Sequence, residues 1–292
     1  MTEHRGRAVF WVLVCVALWA LIPVVSKLGQ SRLDSHQFLF WSSLISFSVL
    51  FLTLVFQGKL KHLGRISVKD YIYLLFLGLL GTYIYYLFLY LGYAGSRGML
   101  VLVLQYTWPV FIVLLSLVIL KETLDWQRLF ALAAGFAAVV IVLSGNSSDT
   151  VGSGFSILSL LVLLGAFCFA LYSVLSKTVQ QEPIIASTIY FFAALTASFV
   201  SLFVFSDFAL PGGDEIVPVL LNGILVNGFS YLFWIFALRS ASASFVAPFT
   251  FLTPVLSAVY LLLFFQEGFS PAYVAALVLV IAGGLVNTIR RN

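Results

Sequence analysis

Residues 101–120 read VLVLQYTWPVFIVLLSLVIL, twenty positions without a single charge. A run of that length spans a bilayer as one helix, which needs about 20 apolar residues. In hydrocarbon every backbone N–H and C=O must be satisfied internally, so a spanning chain is either a helix or a closed barrel. A barrel would show segments of about 10 residues in strict apolar–polar alternation, and these runs do not alternate. Comparable runs cover 8–26, 37–56, 71–93, 99–120, 129–144, 157–176, 184–206, 216–238, 244–265 and 273–288. Charged residues are 9% of the chain and hydrophobic ones 62%, against roughly 25% charge in a soluble domain. The expectation is an all-α integral membrane protein of ten transmembrane helices. The first run follows Arg5 and Arg7 and looks like a secretory leader, but it exceeds the usual 7–15-residue apolar core and has an internal counterpart. It is kept as helix one.

The chain repeats itself. Displaced by 145 positions, Tyr86-Leu87-Phe88 falls on Tyr231-Leu232-Phe233, Pro109-Val110 on Pro254-Val255, and Glu122 on Glu267. A displacement of 150 lays Ala20, Ser26 and Lys27 over Ala170, Ser176 and Lys177. This divides the chain into repeat one (1–145), a Gly/Ser-rich linker (146–154) and repeat two (155–292), with five helices in each half. An odd number of helices per repeat forces the second copy to enter the membrane from the opposite side. Inverted repeats of this kind are a construction of secondary transporters, whose substrate sites lie near the midplane between the halves.

Orientation follows from the basic residues, which accumulate in cytoplasmic loops. With the N-terminus inside, that side collects Arg5, Arg7, Lys59, Lys61, Arg65, Lys69, Lys121, Arg128, Lys177, Arg239, Arg290 and Arg291, and the outer side only Lys27, Arg32 and Arg97. Both termini are expected in the cytoplasm. The net charge of +4 is thus a matter of topology, and no nucleic-acid partner is expected. Cys15 and Cys168 lie in apolar runs and read as small buried hydrophobes. No metal or cofactor is called for.

No Asp, Glu, Lys or Arg falls inside a span, so there is no obvious proton-coupling carboxylate of the kind that marks ion relays. The border charges are symmetric across the repeats: Lys27 with Glu267 on the outer side, Glu122 with Lys177 on the inner. They are candidate exchangeable gate pairs, with interfacial anchoring as the alternative. Pro109 and Pro254 interrupt the hydrogen-bond ladder of their helices and are expected to kink them at the gates. Mid-span polar and aromatic groups are the substrate-site candidates. Tyr83, Tyr86 and Tyr90 are spaced for one face of helix three. Gln105 and Trp108 lie on helix four, Asn227, Tyr231 and Trp234 on helix eight, and Thr250 and Thr253 on helix nine. Trp19 on helix one corresponds to Phe169 on helix six, with Tyr172 a turn further on. Helix packing or aromatic belts account for such residues equally well. Aromatics with amides and hydroxyls but no fixed charge suit a neutral, zwitterionic or flat organic substrate.

The stretch from Trp19 to Lys27, and Pro109 to Lys121-Glu122-Thr123 echoed by Pro254 to Gln266-Glu267, resemble the EamA-type members of the drug/metabolite transporter superfamily. The turn Tyr106-Thr107-Trp108-Pro109 and the run from Phe251 to Ser257 resemble the YddG-type exporters of aromatic amino acids and methyl viologen. The resemblance implies a multi-pass inner-membrane exporter working by alternating access. Its cavity would be lined by helices one, three, four, six, eight and nine, with helices five and ten at the periphery.

On this reading the partners are the lipid bilayer and a small molecule, amino acids or a flat cation such as methyl viologen. The oligomeric state is open, and a monomer is compatible with the design. Another small metabolite (a nucleoside, a polyamine-like drug or a sugar derivative) and a non-transporting membrane module remain alternatives. An intramembrane serine protease is disfavoured because His4, His36 and His62 fall outside the spans, so the chain is not expected to be an enzyme.

Overall fold

The structure, a computed structural model, describes residues 4–96, 101, 104–145, 156–265 and 271–288. Regular structure among the described residues is entirely helical. The elements are α1 (Arg5–Trp19), α2 (Ile22–Gly29), α3 (Ser35–Phe56), α4 (Leu60–Leu63), α5 (Val68–Gly78), α6 (Tyr85–Gly95), α7 (Trp108–Ile119) and α8 (Trp126–Gly145). They continue as α9 (Ile157–Ser176), α10 (Pro183–Phe205), α11 (Gly213–Leu221), α12 (Ser230–Ser240), α13 (Ala243–Val246), α14 (Leu252–Phe265) and α15 (Pro271–Thr288). Among the described residues six helical stretches are long and apolar enough to cross a membrane: Arg5–Gly29, Ser35–Phe56, Val68–Gly95, Ile157–Ser176, Pro183–Phe205 and Gly213–Ser240. Shorter apolar helices cover Trp108–Ile119, Ala243–Ser257 and Leu277–Asn287.

Helix starts follow local chemistry. The Asp34 carboxylate accepts from the N–H groups of His36 and Gln37, and Gln37 Oε1 accepts from Asp34 N at 3.1 Å, a reciprocal cap that opens α3. It starts the helix at Ser35, so His36 lies in the first turn, not before the span as expected from the sequence. There its ring stacks on Phe205 and meets Ser201 Oγ at 3.2 Å.

Spans that read as continuous in sequence are broken. The first helix turns at Ala20–Leu21 and restarts as α2 with Pro23 in its first turn. The fourth turns at Tyr106–Thr107 and restarts at Trp108, which puts Pro109 in the first turn of α7. Ala247–Phe251 is a 3-10 segment, and Pro254 lies in the first turn of α14 just beyond it. Pro109 and Pro254 therefore do not kink a continuous helix, as the sequence reading had it. They sit where a missing N–H leaves no bond unmade.

A second irregularity is shared by both halves. Leu79–Ile84, between α5 and α6, and Asn222–Phe229, between α11 and α12, are π-helical, and they correspond at the displacement of 145. Each is accompanied by a glycine that lets a neighbouring helix approach. A Cβ on Gly78 would lie 2.6 Å from Tyr190 O and 2.7 Å from Tyr190 Cα on α10, and one on Gly223 would lie 2.5 Å from Ile45 Cβ and 3.0 Å from Ser42 O on α3. Backbone cannot yield as a flexible side chain does. Gly78→Ala is therefore expected to incur the upper end of an overpacking cost of about 1–3 kcal/mol, against about 1 kcal/mol gained in helix propensity. Thermal unfolding in detergent should show a fall of several degrees for this variant and little change for Gly64→Ala, where the nearest atom is 3.9 Å away.

The π segments also reset helical phase. Tyr83 does not join Tyr86 and Tyr90 on one face. It lines a groove on the flank of the bundle with Phe192 and Val200, while Tyr85, Tyr86 and Tyr90 are buried. Across the bundle α1 packs on α12, α6 on α9, α3 on α10, and α8 on α15. The segments α1, α6, α7, α9 and α12 bring their aromatic residues to one central point.

Candidate functional site

Five rings form the centre. Trp19 and Trp108 meet edge to face at 6.1 Å, Phe169 lies 5.9 Å from Trp19 and 5.0 Å from Trp108, and Trp234 lies 5.3 Å from Trp19 and 5.8 Å from Trp108. Tyr231 joins at 6.5 Å from Trp19 and 6.2 Å from Phe169. These separations fall within the 4.5–7 Å range of attractive aromatic pairs. Polar handles fix the rings. Trp19 Nε1 donates to Ser230 Oγ at 2.8 Å, Trp234 Nε1 to Ser173 Oγ at 3.0 Å, and the Tyr231 hydroxyl to Gly81 O at 2.7 Å.

A narrow cleft of about 10 Å³ opens on this cluster, lined by Trp19, Tyr86, Gln105, Trp108, Phe169 and Thr253 among others. That is room for about one water molecule, far below the roughly 300–1,000 Å³ of small-molecule sites, so the rings are closed on one another and must part to admit a substrate. Gln105 is the main polar group facing it. Its Nε2 donates to the Tyr85 hydroxyl at 3.0 Å and its Oε1 accepts from the Tyr93 hydroxyl at 3.3 Å. A primary amide has two N–H donors and two acceptor lone pairs, so these bonds orient Gln105 and use one of each. Thr253 is buried in the same wall, with no hydrogen bond of normal geometry to its hydroxyl.

The candidates named from sequence thus fall into groups. Trp19, Tyr86, Gln105, Trp108 and Phe169 line the cleft together. Tyr231 and Tyr172 stand behind it, Tyr172 at 5.8 Å from both Phe169 and Tyr231. Tyr90 and Asn227 lie a layer away, beyond Tyr86, whose ring is 5.5 Å from that of Tyr90. Thr250 gives its hydroxyl to Ala247 O at 2.6 Å within its own 3-10 turn and does not line the cleft. Tyr85, Tyr93, Tyr106 and Ser230 were missed. The tyrosines escape a 3.6-residue count because the π segment and the turn at Tyr106 shift the phase, and a lone serine gives no signal at all.

Of the candidate gate charges, Glu122 and Lys177 meet at one end of the bundle. The Glu122 carboxylate accepts from Ala243 N at 2.8 Å, Ser244 N at 2.9 Å and Ser244 Oγ at 2.7 Å, with Lys177 Nζ at 3.8 Å. Lys177 also donates to Leu238 O at 2.7 Å and to Ala241 O, and Arg128 Nη1 donates to Ser244 Oγ at 2.8 Å. Backbone geometry aims Glu122: Lys121 adopts a left-handed φ of 53° and Glu122 N reaches back to Ser116 O at 3.2 Å, a helix-ending pattern normally built on glycine. Burial alone would raise the Glu122 carboxyl, but the Ser244 and Ala243 donors and Lys177 outweigh it and hold it below its ordinary value. Lys27 is exposed in the last turn of α2. Glu267, its expected partner in the outer gate pair, lies outside the described residues.

The sequence profile of the EamA-like transporter family matches residues 6–144 and again 156–289. The chain belongs to the EamA-like transporter family. Among EamA relatives it is 26% identical over 281 residues to an uncharacterized transporter of Archaeoglobus fulgidus, covering 94% of this chain and 95% of the relative. It is 26% identical over 270 residues to a protein of Rickettsia prowazekii named S-adenosylmethionine uptake transporter, covering 89% and 85%. It is 23% identical over 294 residues to the uncharacterized transporter YoaV of Bacillus subtilis, covering 97% of each. A solved crystal structure superposes with a TM-score of 0.85 over 97% of both chains at 20% identity, which establishes a shared fold. The family and the relatives' names indicate a multi-pass membrane transporter of a small molecule, not an enzyme.

Proposed function

We propose that this EamA protein exports amino acids, aromatic and other apolar ones foremost, across the inner membrane by alternating access between two inverted five-helix repeats with both termini in the cytoplasm. One observation carries the substrate class: among the described residues, an uncharged aromatic cage with a single oriented amide, Gln105, in its lining. Apolar side chains and planar rings gain burial and stacking there, and Gln105 can address one donor and one acceptor of an amino-acid head group. An anionic sugar phosphate would want an Arg or Lys, and none lines the cleft among the described residues. The Glu122–Lys177 cluster, joined to Ala243 and Ser244, would be the closed cytoplasmic gate.

A second reading is favoured by the same cage. Aromatic faces attract onium cations, so methyl viologen, or a sulfonium such as the S-adenosylmethionine named for the rickettsial relatives, fits the chemistry as well as phenylalanine does. Flux into proteoliposomes, measured with labelled phenylalanine, tryptophan and S-adenosylmethionine and an unlabelled panel, separates them. Saturable phenylalanine or tryptophan flux that competes within the aromatic set supports the first reading, and S-adenosylmethionine flux resistant to amino acids supports the second. Non-saturating flux of everything would overturn both.

A further inference from the structure

The second π segment carries Asn222 and Asn227, both fully buried. Their repeat mates in the first half are Leu77 and Thr82, and the Thr82 hydroxyl has its one proton between Gly78 O at 2.6 Å and Tyr190 O at 3.0 Å. In an α-helix residues five apart point about 140° away from one another. The i to i+5 bonding of a π-helix stacks them instead, and both amides come to the Tyr90 hydroxyl. Asn222 Nδ2 donates to it at 3.1 Å and to Ser42 Oγ at 2.8 Å. Asn227 reaches the same neighbourhood without a hydrogen bond of normal geometry. Those two donations occupy both N–H groups of Asn222 and turn its Oδ1 away, and that oxygen and both polar atoms of Asn227 have no partner. Leaving such groups unmet in an apolar interior costs on the order of 1–3 kcal/mol each. The irregular helix is therefore maintained at a position where it spends stability on presenting unmet amide groups.

We propose that Asn222 Oδ1 and the Asn227 amide, oriented by Tyr90 and Ser42 behind Asn222, form a subsite for a monovalent cation, either an alkali ion or the primary ammonium of the transported molecule. Two amide oxygens, of Asn222 and Asn227, stand unmet against one amide nitrogen, of Asn227, a balance that favours a positively charged or donating group over an anion. Asn222 is held by Ser42 on α3 and Tyr90 on α6, so occupancy at the second π segment ties repeat two to repeat one. A neutral-oxygen site also gives a carrier with no intramembrane carboxylate a route to ion coupling, in the manner of transporter sites built on irregular midplane helices. The inference extends the transport reading, but its test does not depend on flux.

Thermal unfolding of the purified protein in detergent is followed in sodium, potassium or phenethylammonium chloride against choline chloride at matched ionic strength. Choline has no N–H to donate. A saturable rise of several degrees in sodium or potassium alone identifies a free ion, and a rise in phenethylammonium identifies the substrate's ammonium. Either rise should vanish in Asn222→Leu, while Asn227→Asp, which keeps the oxygen and adds charge, should shift half-saturation at least severalfold lower. No cation-specific shift in the wild type, or a shift untouched in both variants, overturns the proposal and leaves the amides to structural water. If the shift is present and no flux is found, the site stands and the transport reading falls.

Discussion

Trp108→Ala is expected to lower transport efficiency, maximal flux over half-saturating concentration, by about 10–100-fold, since stacking on one aromatic ring is worth about 1–3 kcal/mol. The ring is buried and touches Trp19, Phe169 and Trp234 at 5.0–6.1 Å. Its loss removes a wall of the cleft and one orienting neighbour from each remaining ring. Trp108→Phe keeps an apolar face at the same position and should recover most of the activity, which separates loss of stacking from collapse of the bundle. Trp126→Ala provides the contrast. That indole is 54% exposed in the first turn of α8, as an interfacial belt residue would be, and its removal should change flux less than twofold, an effect worth under about 0.4 kcal/mol. Equal losses in Trp108→Ala and Trp126→Ala, or retained efficiency in Trp108→Ala with a monodisperse protein, would reassign the aromatic cluster to packing.

The difference between these two tryptophans marks what the sequence could convey. Membrane class, repeat spacing and the convergence of Trp19, Tyr86, Gln105, Trp108 and Phe169 were all legible. They rest on long-range periodicity and on the cost of polar atoms in hydrocarbon, both of which survive small errors of phase. Details that depend on local backbone were not. Tyr83 was grouped with Tyr86 and Tyr90 by a 3.6-residue count, and the π turn at Leu79–Ile84 moves it to the flank and brings in Tyr85. Pro109 and Pro254 were read as kinks, whereas the chain stops and restarts ahead of each. Thr250 and Thr253 look equivalent in sequence, yet the 3-10 turn satisfies the first internally and leaves the second in the cleft wall. In each case an irregular turn shorter than one hydrophobic period decides the outcome, and residue types alone carry no signature of it.

The second large effect is expected at Glu122. Its carboxylate joins α13 to the loop after α7 through three hydrogen bonds, with Lys177 beside it. Charge-assisted bonds of this kind contribute about 1.5–3 kcal/mol each, so removing them should move the closed–open balance at this end at least 10-fold. In a background with Cys15 and Cys168 replaced by alanine, a cysteine at the buried Ser176 position reports opening through its rate of maleimide labelling. Glu122→Ala should raise that rate about 10-fold or more and depress net flux, because a gate that no longer closes cannot complete a cycle. Glu122→Gln, which keeps an acceptor and loses the charge, should fall between. The carboxyl is held below its ordinary value in the closed arrangement. A depressed acid stabilises its bonded state fully above the unperturbed value and loses that contribution only as pH falls through the lowered one. Between pH 6 and 8, well above the ordinary carboxylate value of about 4.3, the wild-type labelling rate should therefore be flat, with opening setting in only under acid. A rate that climbs between pH 7 and 6, where a carboxylate needs a pKa raised well above about 4.3 to titrate, would mean that Glu122 takes up protons during the cycle. Unchanged labelling and flux in Glu122→Ala would reduce the cluster to an interfacial anchor, the role its position at a helix end allows without any gate.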